Sequence, residues 1–547
     1  MEYKRKWRGF NFVNKNMSIT DKVLALRGIK DKNYFLNGTI SDLYDISLLN
    51  DGIKAGEIIK KAIKNKEKIV IYSDYDTDGA SGAAVSYMML EELGADVYYY
   101  TNNRFVQGYG MCISGIDEII KICPDTKLII TVDNGIVASE AAKYVKKLGI
   151  KLIITDHHEQ GDELPIADAV VDPKRIDSTY PFDGICGAVV VWKVLRELYK
   201  DKKEANKYLD ILAIATAGDV VPLVDENRII VKEGLKLLNN ESRKSLKILK
   251  NMTNTTEINS HFTLGFIYSP IFNAVSRLNG SINDVIQMLI SNDEEFIKGK
   301  IQKLIKINEK RKELTKQQTE EAEKMLEEKG LKEVIFLYNE NFHEGIVGLI
   351  AGRLKEKYNR PTFILTESKD GNIKGSARSI ENFNVKKNLD KCKDLLLGYG
   401  GHAMAGGLSL KPKNLELLEE KLIELAKEEL TEDDFIKKFY YVGTLEEKEV
   451  NINLIKELKK MEPYGPGFEK PLIKLKNFNV RRVFEMGSEK EHLKLTGDRI
   501  NLLLWRQAKT FKERGNPLNI TALGYPELNV YNKNVSLQFI VNEDNFY

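Results

Sequence analysis

The 547-residue sequence has few of the features that would reveal its chemistry at once. There are four cysteines, Cys112, Cys123, Cys186 and Cys392, and none forms a C-x-x-C pair. That spacing excludes a zinc knuckle and a dithiol redox motif. Scattered thiols instead suit a reducing compartment, so a cytoplasmic location is expected. No uninterrupted apolar run of about 18 residues occurs, so no membrane span is expected. The opening MEYKRKWRGF leads into no apolar segment, so no secretory signal is expected. Strong net charge is also lacking. Lys and Arg total 83 against 80 Asp and Glu, a formal charge of +3, which is too mild to establish nucleic-acid binding by itself. A basic groove would have to come from local clustering. No internal repeat or low-complexity tract interrupts the chain.

What is present is enough chain for roughly three or four domains. At 42% hydrophobic and 30% charged, the composition is that of a soluble globular protein. Within it, SDYDTDGASGAA packs three carboxylates, Asp74, Asp76 and Asp78, just after the apolar β-branched run KIVIY. In an extended chain alternate side chains point the same way, so the three acids converge at the end of a strand. Like charges at that spacing repel unless protonated or joined by a cation. An EF-hand loop begins with the same pattern but needs Glu at its twelfth position. Counted from Asp74 that position is Val85, and a strand precedes the acids, not a helix. A helix-capping role explains one acid well and three poorly.

From about residue 66 to 222, KIVIYSD, KLIITVDNG, KLIITDHHE and ADAVVDP read as short strands between helix-like stretches such as EAAKYVKKLG. That alternation predicts an α/β domain with a doubly wound parallel sheet. Polar residues follow each strand: Asp76 and Asp78, then Asp133, then Asp156, His157 and His158, then Asp172. In open α/β sheets the ligand site lies at the carboxyl ends of the strands. The expected organisation is an N-terminal lead-in to the sheet (1–65), an α/β catalytic domain (66–295), a connector helix (296–330), a smaller α/β domain (331–430) and a C-terminal all-β barrel (431–547). The connector is a long charged stretch with sparse apolar positions, ended by Gly330.

Carboxylates with neutral imidazole suit Mn²⁺ or Mg²⁺. Two such ions about 3.5–4 Å apart can activate water and stabilise a leaving oxygen in phosphodiester cleavage. Asp133, alone at a strand end in VDNG, is the candidate bridge. In TDHHE one histidine can ligate while the other orients it or touches substrate. Asp219, in ATAGDVVPL, is on local grounds alone a cap or surface acid.

The ordered set DYDTDG, VDNG, TDHHE and GDVVPL resembles the DHH phosphoesterases, and GYGGHAMAGG resembles their DHHA1 domain. Adding HEGIVGLIAGRLKEKYNRP, GSARSIENFNV, MEPYGPGFEKPL and the terminal β region, the chain from about residue 65 onward resembles the RecJ family of single-strand-specific 5′→3′ exonucleases. The resemblance implies that Asp76, Asp78, Asp133, His157 and Asp219 ligate two Mn²⁺ or Mg²⁺ ions, with Asp133 bridging. Asp74 and His158 would lie beside them, and Asp156 would hold the histidines. Arg104 and Tyr109 of NNRFVQGYG, and Asn273 and Arg277 of FNAVSRLNG, would line the nucleic-acid path. Ser376, Arg378, Gly401 and His402 would bind the terminal 5′ phosphate, with the glycine-rich turn expected to open a helix and present N–H groups. His343 is open between function and packing.

Three departures stand out. Tyr72 occupies a position where some relatives carry a histidine ligand, Val275 and Ser276 replace smaller residues before Arg277, and Gly218 precedes Asp219. The terminal aromatics Phe484, Trp505, Tyr525, Tyr531 and Phe539 suit an OB fold, where such residues either stack bases or fill the barrel. The function implied is a monomeric, metal-dependent 5′→3′ exonuclease of single-stranded DNA in recombination and repair, with a helicase and a single-strand-binding protein as partners. A phosphodiesterase of short oligonucleotides or cyclic dinucleotides is the nearest rival, but such relatives are shorter and lack the terminal β domain. A non-catalytic scaffold is a second rival, but degeneration should delete ligands and every acid of the set remains.

Overall fold

Five short apolar runs form one parallel sheet. A computed structural model describes residues 5–10, 17–240, 242–255, 257–258, 260–531 and 534–547. In it, β1 (Lys68–Ser73), β2 (Val97–Thr101), β3 (Thr126–Val132), β4 (Lys151–Thr155) and β5 (Ala169–Val171) lie in the order β2-β1-β3-β4-β5. Every pairing is parallel. Such a sheet needs cover on both faces, which is why β1, β3 and β4 are continuous Ile/Leu/Val runs and not alternating ones. α1 (Thr77–Glu92) follows β1 directly and packs against α2 (Gly187–Arg196) and α3 (Leu209–Gly218). The small residues of TDGASGAA allow that packing. A Cβ added to Gly82 would come 2.4 Å from the Val132 side chain on β3.

α4 (Ser269–Asn279) continues from a π-helical turn and ends at Gly280, whose φ of +82° closes the helix. α5 (Glu294–Lys329) is the expected connector, capped by Asp293 and stopped at Gly330. Its buried side is mixed: Ile297, Ile301, Leu304, Ala322 and Leu326, but also Asn308, Thr315, Gln318 and Thr319.

The second sheet comprises β6 (Ile335–Tyr338), β7 (Thr362–Glu367), β8 (Ile373–Arg378), β9 (Leu396–Gly401) and β10 (Ala405–Leu410), ordered β9-β10-β8-β7-β6. Only β6 and β7 are parallel. α6 (Val347–Tyr358) packs on β7 and β8. One expectation is corrected here. GYGGHAMAGG opens no helix; it is an antiparallel hairpin pairing Tyr399 with Leu408 and Gly401 with Gly406. Glycine accepts extended backbone as readily as a turn, and pairing of β10 with β8 decides between them.

The chain divides into two compact units. The first holds both α/β sheets, over residues 43–221 and 230–437; the second holds residues 5–42, 222–229 and 438–547. The second unit contains one eight-stranded sheet, in the order Arg5–Gly9, Lys437–Glu446, Leu472–Asn479, Asn519–Tyr531, Asn534–Phe546, Asn501–Leu504, His492–Thr496 and Arg482–Met486. Residues 5–42 thus join the terminal β unit, and only the helix Gly52–Lys64 leads into β1. Phe539 is fully buried in that unit, whereas Phe484 and Trp505 are 46% and 47% exposed; the side chain of Tyr531 lies outside the described residues. Buried Arg228 ties the unit's segments together, donating to the carbonyls of Phe35, Met461, Glu462 and Pro463.

Candidate metal centre

The acids converge because the strands end together. Asp76 caps α1, its Oδ1 accepting from the N–H of Asp78 (2.8 Å) and Gly79 (3.1 Å), so the capping role and the cluster share one residue. Asp78 is fully buried and accepts from the N–H of Gly187 and Ala188 at the start of α2, at 2.7 and 3.0 Å. Asp133 follows β3 with φ of +63°, and Val220, beside Asp219, has φ of +61°. Asp enters the left-handed region readily, but β-branched Val does so rarely, and its occurrence beside a ligand candidate fits strain held at a functional site.

His157 gathers the acids. Its Nε2 lies 3.1 Å from Asp133, 3.5 Å from Asp219 and 3.8 Å from Asp78. Three donor sets each lie within 4.8 Å: Asp74, Asp76 and Asp133; Asp78, His157 and Asp219; Asp133, His157 and His158. They overlap at Asp133 and His157, the arrangement expected of two neighbouring cations sharing a bridge.

Electrostatics agree. Burial, and then Asp78, Asp76, Asp219 and Asp74, push the Asp133 carboxyl well above its usual range. Asp74 and Asp219 are raised likewise by burial and neighbouring acids, and Asp78 is raised to about 6 by burial and Asp76. Burial, then His158, lowers His157 to about 3, leaving a neutral imidazole suited to ligation. Buried Asp74 Oδ1 and Asp219 Oδ2 find no hydrogen-bond partner among the described residues. Repelling carboxylates with unsatisfied buried oxygens fit hard divalent cations with oxygen and imidazole ligands.

Around this core, Asp156 accepts from the N–H of His157 and His158, and its Oδ1 lies 2.7 Å from His158 Nδ1. Burial opposes charge on His158, but its bond to Asp156 and the charge of Asp156 outweigh it, lifting its pKa to about 9. The Tyr109 hydroxyl lies 2.9 Å from His158 Nδ1. Tyr72 takes no part. Its hydroxyl donates to Asn102 Oδ1 at 2.6 Å inside the core beside Val70 and Ile129.

Three arginines converge beside the cluster. Arg277 is pushed down to about 9 by burial, then by Arg104 and Arg378, with Asp76 the opposing charge. Arg378 is lowered by burial, then by Arg104. Arg378 Nη1 donates to Ser376 Oγ at 3.1 Å, and Arg104 lies over the Tyr75 ring at 5.1 Å. Half-buried like charges favour an anion. His402 is exposed, its ring 6.4 Å from that of His158 and nearly parallel to it. Gly401, at φ +136°, has no room for a side chain: a Cβ would meet the Ala405 carbonyl at 2.4 Å. Asn273 is spent on the scaffold, its Oδ1 accepting from the N–H of Thr77 at 2.9 Å.

Two contributors have no role in the sequence reading. Tyr75, inside DYDTDG, lies under Arg104 at 5.1 Å. At Gly187 a Cβ would stand 2.6 Å from that of Asp133, a contact between distant segments that local sequence does not signal.

Comparison with known proteins accounts for the domain order. Residues 68–216 match the DHH family N-terminal domain, residues 331–428 the DHHA1 domain and residues 443–543 the RecJ OB domain. The single-stranded-DNA-specific exonuclease RecJ of Salmonella typhimurium is 31% identical over 476 residues, 82% of each chain. The chain belongs to the RecJ family. The Bacillus subtilis RecJ is 36% identical over 466 residues, which are 84% of this chain and 58% of that longer protein. The crystal structure of Thermus thermophilus RecJ in complex with Mn²⁺ has the same fold, with a TM-score of 0.84 and 24% identity, covering 100% of this chain and 80% of that one.

Proposed function

We propose that this chain is a metal-dependent exonuclease that hydrolyses phosphodiester bonds of single-stranded DNA in the 5′→3′ direction, in recombination and repair. The observation that carries the reading is the acid cluster around His157 set beside three converging arginines, with His402 facing His158.

Asp76, Asp78, Asp133, His157 and Asp219 would hold the Mn²⁺ or Mg²⁺ ions. When bound, such ions supply an activated water and neutralise charge gathering on the phosphate. The protein's own groups do the rest. Asp156 fixes the orientation of His158, and Tyr109 limits its movement. Cationic His158 faces the phosphate, and buried Asp74 adds its carboxylate beside the ligands. Ser376, Arg378, Gly401 and His402 take the 5′-terminal phosphate, while Arg104, Tyr109 and Arg277 guide the strand and Asn273 holds the start of α1. Fixing the terminal phosphate near the ligand cluster sets both polarity and the bond cut. The OB-type unit binds single strand. A helicase and a single-strand-binding protein are its working partners, and the protein acts as a cytoplasmic monomer. No helix among the described residues is long and apolar enough to cross a membrane.

Degradation of a long single strand labelled at either end, with Mn²⁺, with Mg²⁺ and with chelator, beside Asp133→Ala, tests the reading. Metal-dependent loss from the 5′ end, absent in the variant, is expected. Strand binding without cleavage under any ion would overturn it.

A further inference from the structure

We infer that His343 is a positioning residue that sets the spacing between the arginines of the terminal-phosphate pocket. The inference rests on the pocket assigned above and names what holds it together.

Arg277 and Arg378 come from different sheets' surroundings, yet their guanidinium groups face the same site. The segment His343–Gly348 bridges them. At one end Gly345 lies hard against the last turn of α4. A Cβ there would fall 1.8 Å from the Arg277 carbonyl oxygen, and the Gly345 carbonyl accepts from Arg277 Nη1 at 3.4 Å. At the other end Gly348 opens α6 beneath the pocket, where a Cβ would meet Ser376 Oγ at 3.0 Å and Arg378 Nη2 at 3.3 Å. Four residues, Gly345–Gly348, thus span the distance from one arginine to the other with no side chain at either contact.

His343 pins this spacer from three sides. Its Nδ1 accepts from the N–H of Gly345 at 3.0 Å, which fixes the carbonyl that Arg277 grips. Its own N–H donates to Gln318 Oε1 on α5 at 3.0 Å, and Gln318 returns a bond to the Asn341 carbonyl at 3.0 Å. Its ring meets Phe105 edge-on at 5.9 Å. Phe105 neighbours Arg104, whose N–H donates to the Gly280 carbonyl at the end of α4 at 2.7 Å. Through its ring, His343 therefore touches the Arg104 loop and the loop under Arg277, and through its backbone N–H the connector helix. Accepting through Nδ1 requires the neutral ring, and burial lowers the pKa of His343 accordingly.

The test is binding in Ca²⁺, without turnover, of one oligonucleotide carrying either a 5′ phosphate or a 5′ hydroxyl. Wild type, His343→Ala and His343→Asn are compared, with their thermal midpoints. Losing the Nδ1 bond should cut the phosphate preference roughly tenfold in His343→Ala while binding of the 5′-hydroxyl strand holds. Asn presents an oxygen near Nδ1 and should restore most of the preference. A preference equal to wild type in His343→Ala overturns the inference, as does a His343→Asn variant no better than Ala. A fall in midpoint with equal loss for both strands would make His343 merely structural and overturn it too. A wild type without preference defeats the pocket itself and the inference with it.

Discussion

His158 and His402 face each other with ring centroids 6.4 Å apart and planes 20° from parallel. One follows β4 of the parallel sheet and the other follows β9 in the hairpin, so two separately folded layers meet over the acid cluster. In the proposed reading, a phosphate held by His402 and Arg378 would be presented to the acid cluster. Arg378→Ala and His402→Ala should each reduce the preference for 5′-phosphorylated over 5′-hydroxyl strands about 10- to 100-fold, the worth of a charge-assisted hydrogen bond. Competition between the two strands for hydrolysis measures it. An unchanged preference in both variants would remove the pocket.

The acids repel one another, so cations should stabilise the first unit as well as activate it. Mn²⁺ at about 100 times its dissociation constant should add roughly 2.7 kcal/mol to stability, read as a higher thermal midpoint that chelator reverses. Asp133→Asn should abolish hydrolysis yet raise the midpoint in chelator, because it removes a carboxyl whose charge burial and four neighbouring acids disfavour. A lower midpoint for Asp133→Asn in chelator would show that repulsion does not govern the cluster.

How much of this was legible in the sequence differs from residue to residue. The cluster of acids after β1 was readable because a strand–helix turn is local, but not by alternation along an extended chain: the strand ends at Ser73, Asp76 caps α1 and Asp78 lies in its first turn. The parallel sheet was readable because buried parallel strands are continuous apolar runs. The hairpin of GYGGHAMAGG was not, since glycine fits turn, helix start and strand alike, and only its pairing to β8 selects among them. Nor was the assignment of residues 5–42 to the terminal unit, which depends on pairing with strands from the other end of the chain. Asp219 needed family resemblance, because one acid ending an apolar helix carries no local signal; the fold then brings its oxygen 3.5 Å from His157.

Tyr72 illustrates how register overrides motif. It shares the face of β1 with Val70 and points into the core, where its hydroxyl satisfies Asn102, whose amide in turn donates to the carbonyls of Gly108 and Gly110. Tyr72→Phe strands a buried acceptor and should cost about 1–3 kcal/mol, seen as a lower denaturation midpoint. Metal affinity by calorimetry should stay at the wild-type value. A weakened metal site in Tyr72→Phe would return this residue to the ligand shell.

Asp172 ends β5 and is fully buried, with Oδ1 accepting from the N–H of Lys174 at 2.7 Å and Oδ2 without a partner among the described residues. Burial, then the charge of Asp156, raises its pKa to about 7. The folded state therefore holds this proton at pH values where the unfolded chain, with an ordinary carboxyl, has lost it. Stability is full below about pH 4 for this group and falls as pH rises from there toward 7, by up to roughly 1.4 kcal/mol per pH unit. Asp172→Asn keeps the oxygen that Lys174 uses and removes the titration. It should match the wild type near pH 4 and exceed it at pH 8, where the wild type must bury a charge next to Asp156. Thermal midpoints of both proteins across that range decide the matter. Parallel profiles would mean that Asp172 stays ionised in the fold, and a lower midpoint for the variant at pH 8 would mean that its charge is stabilising.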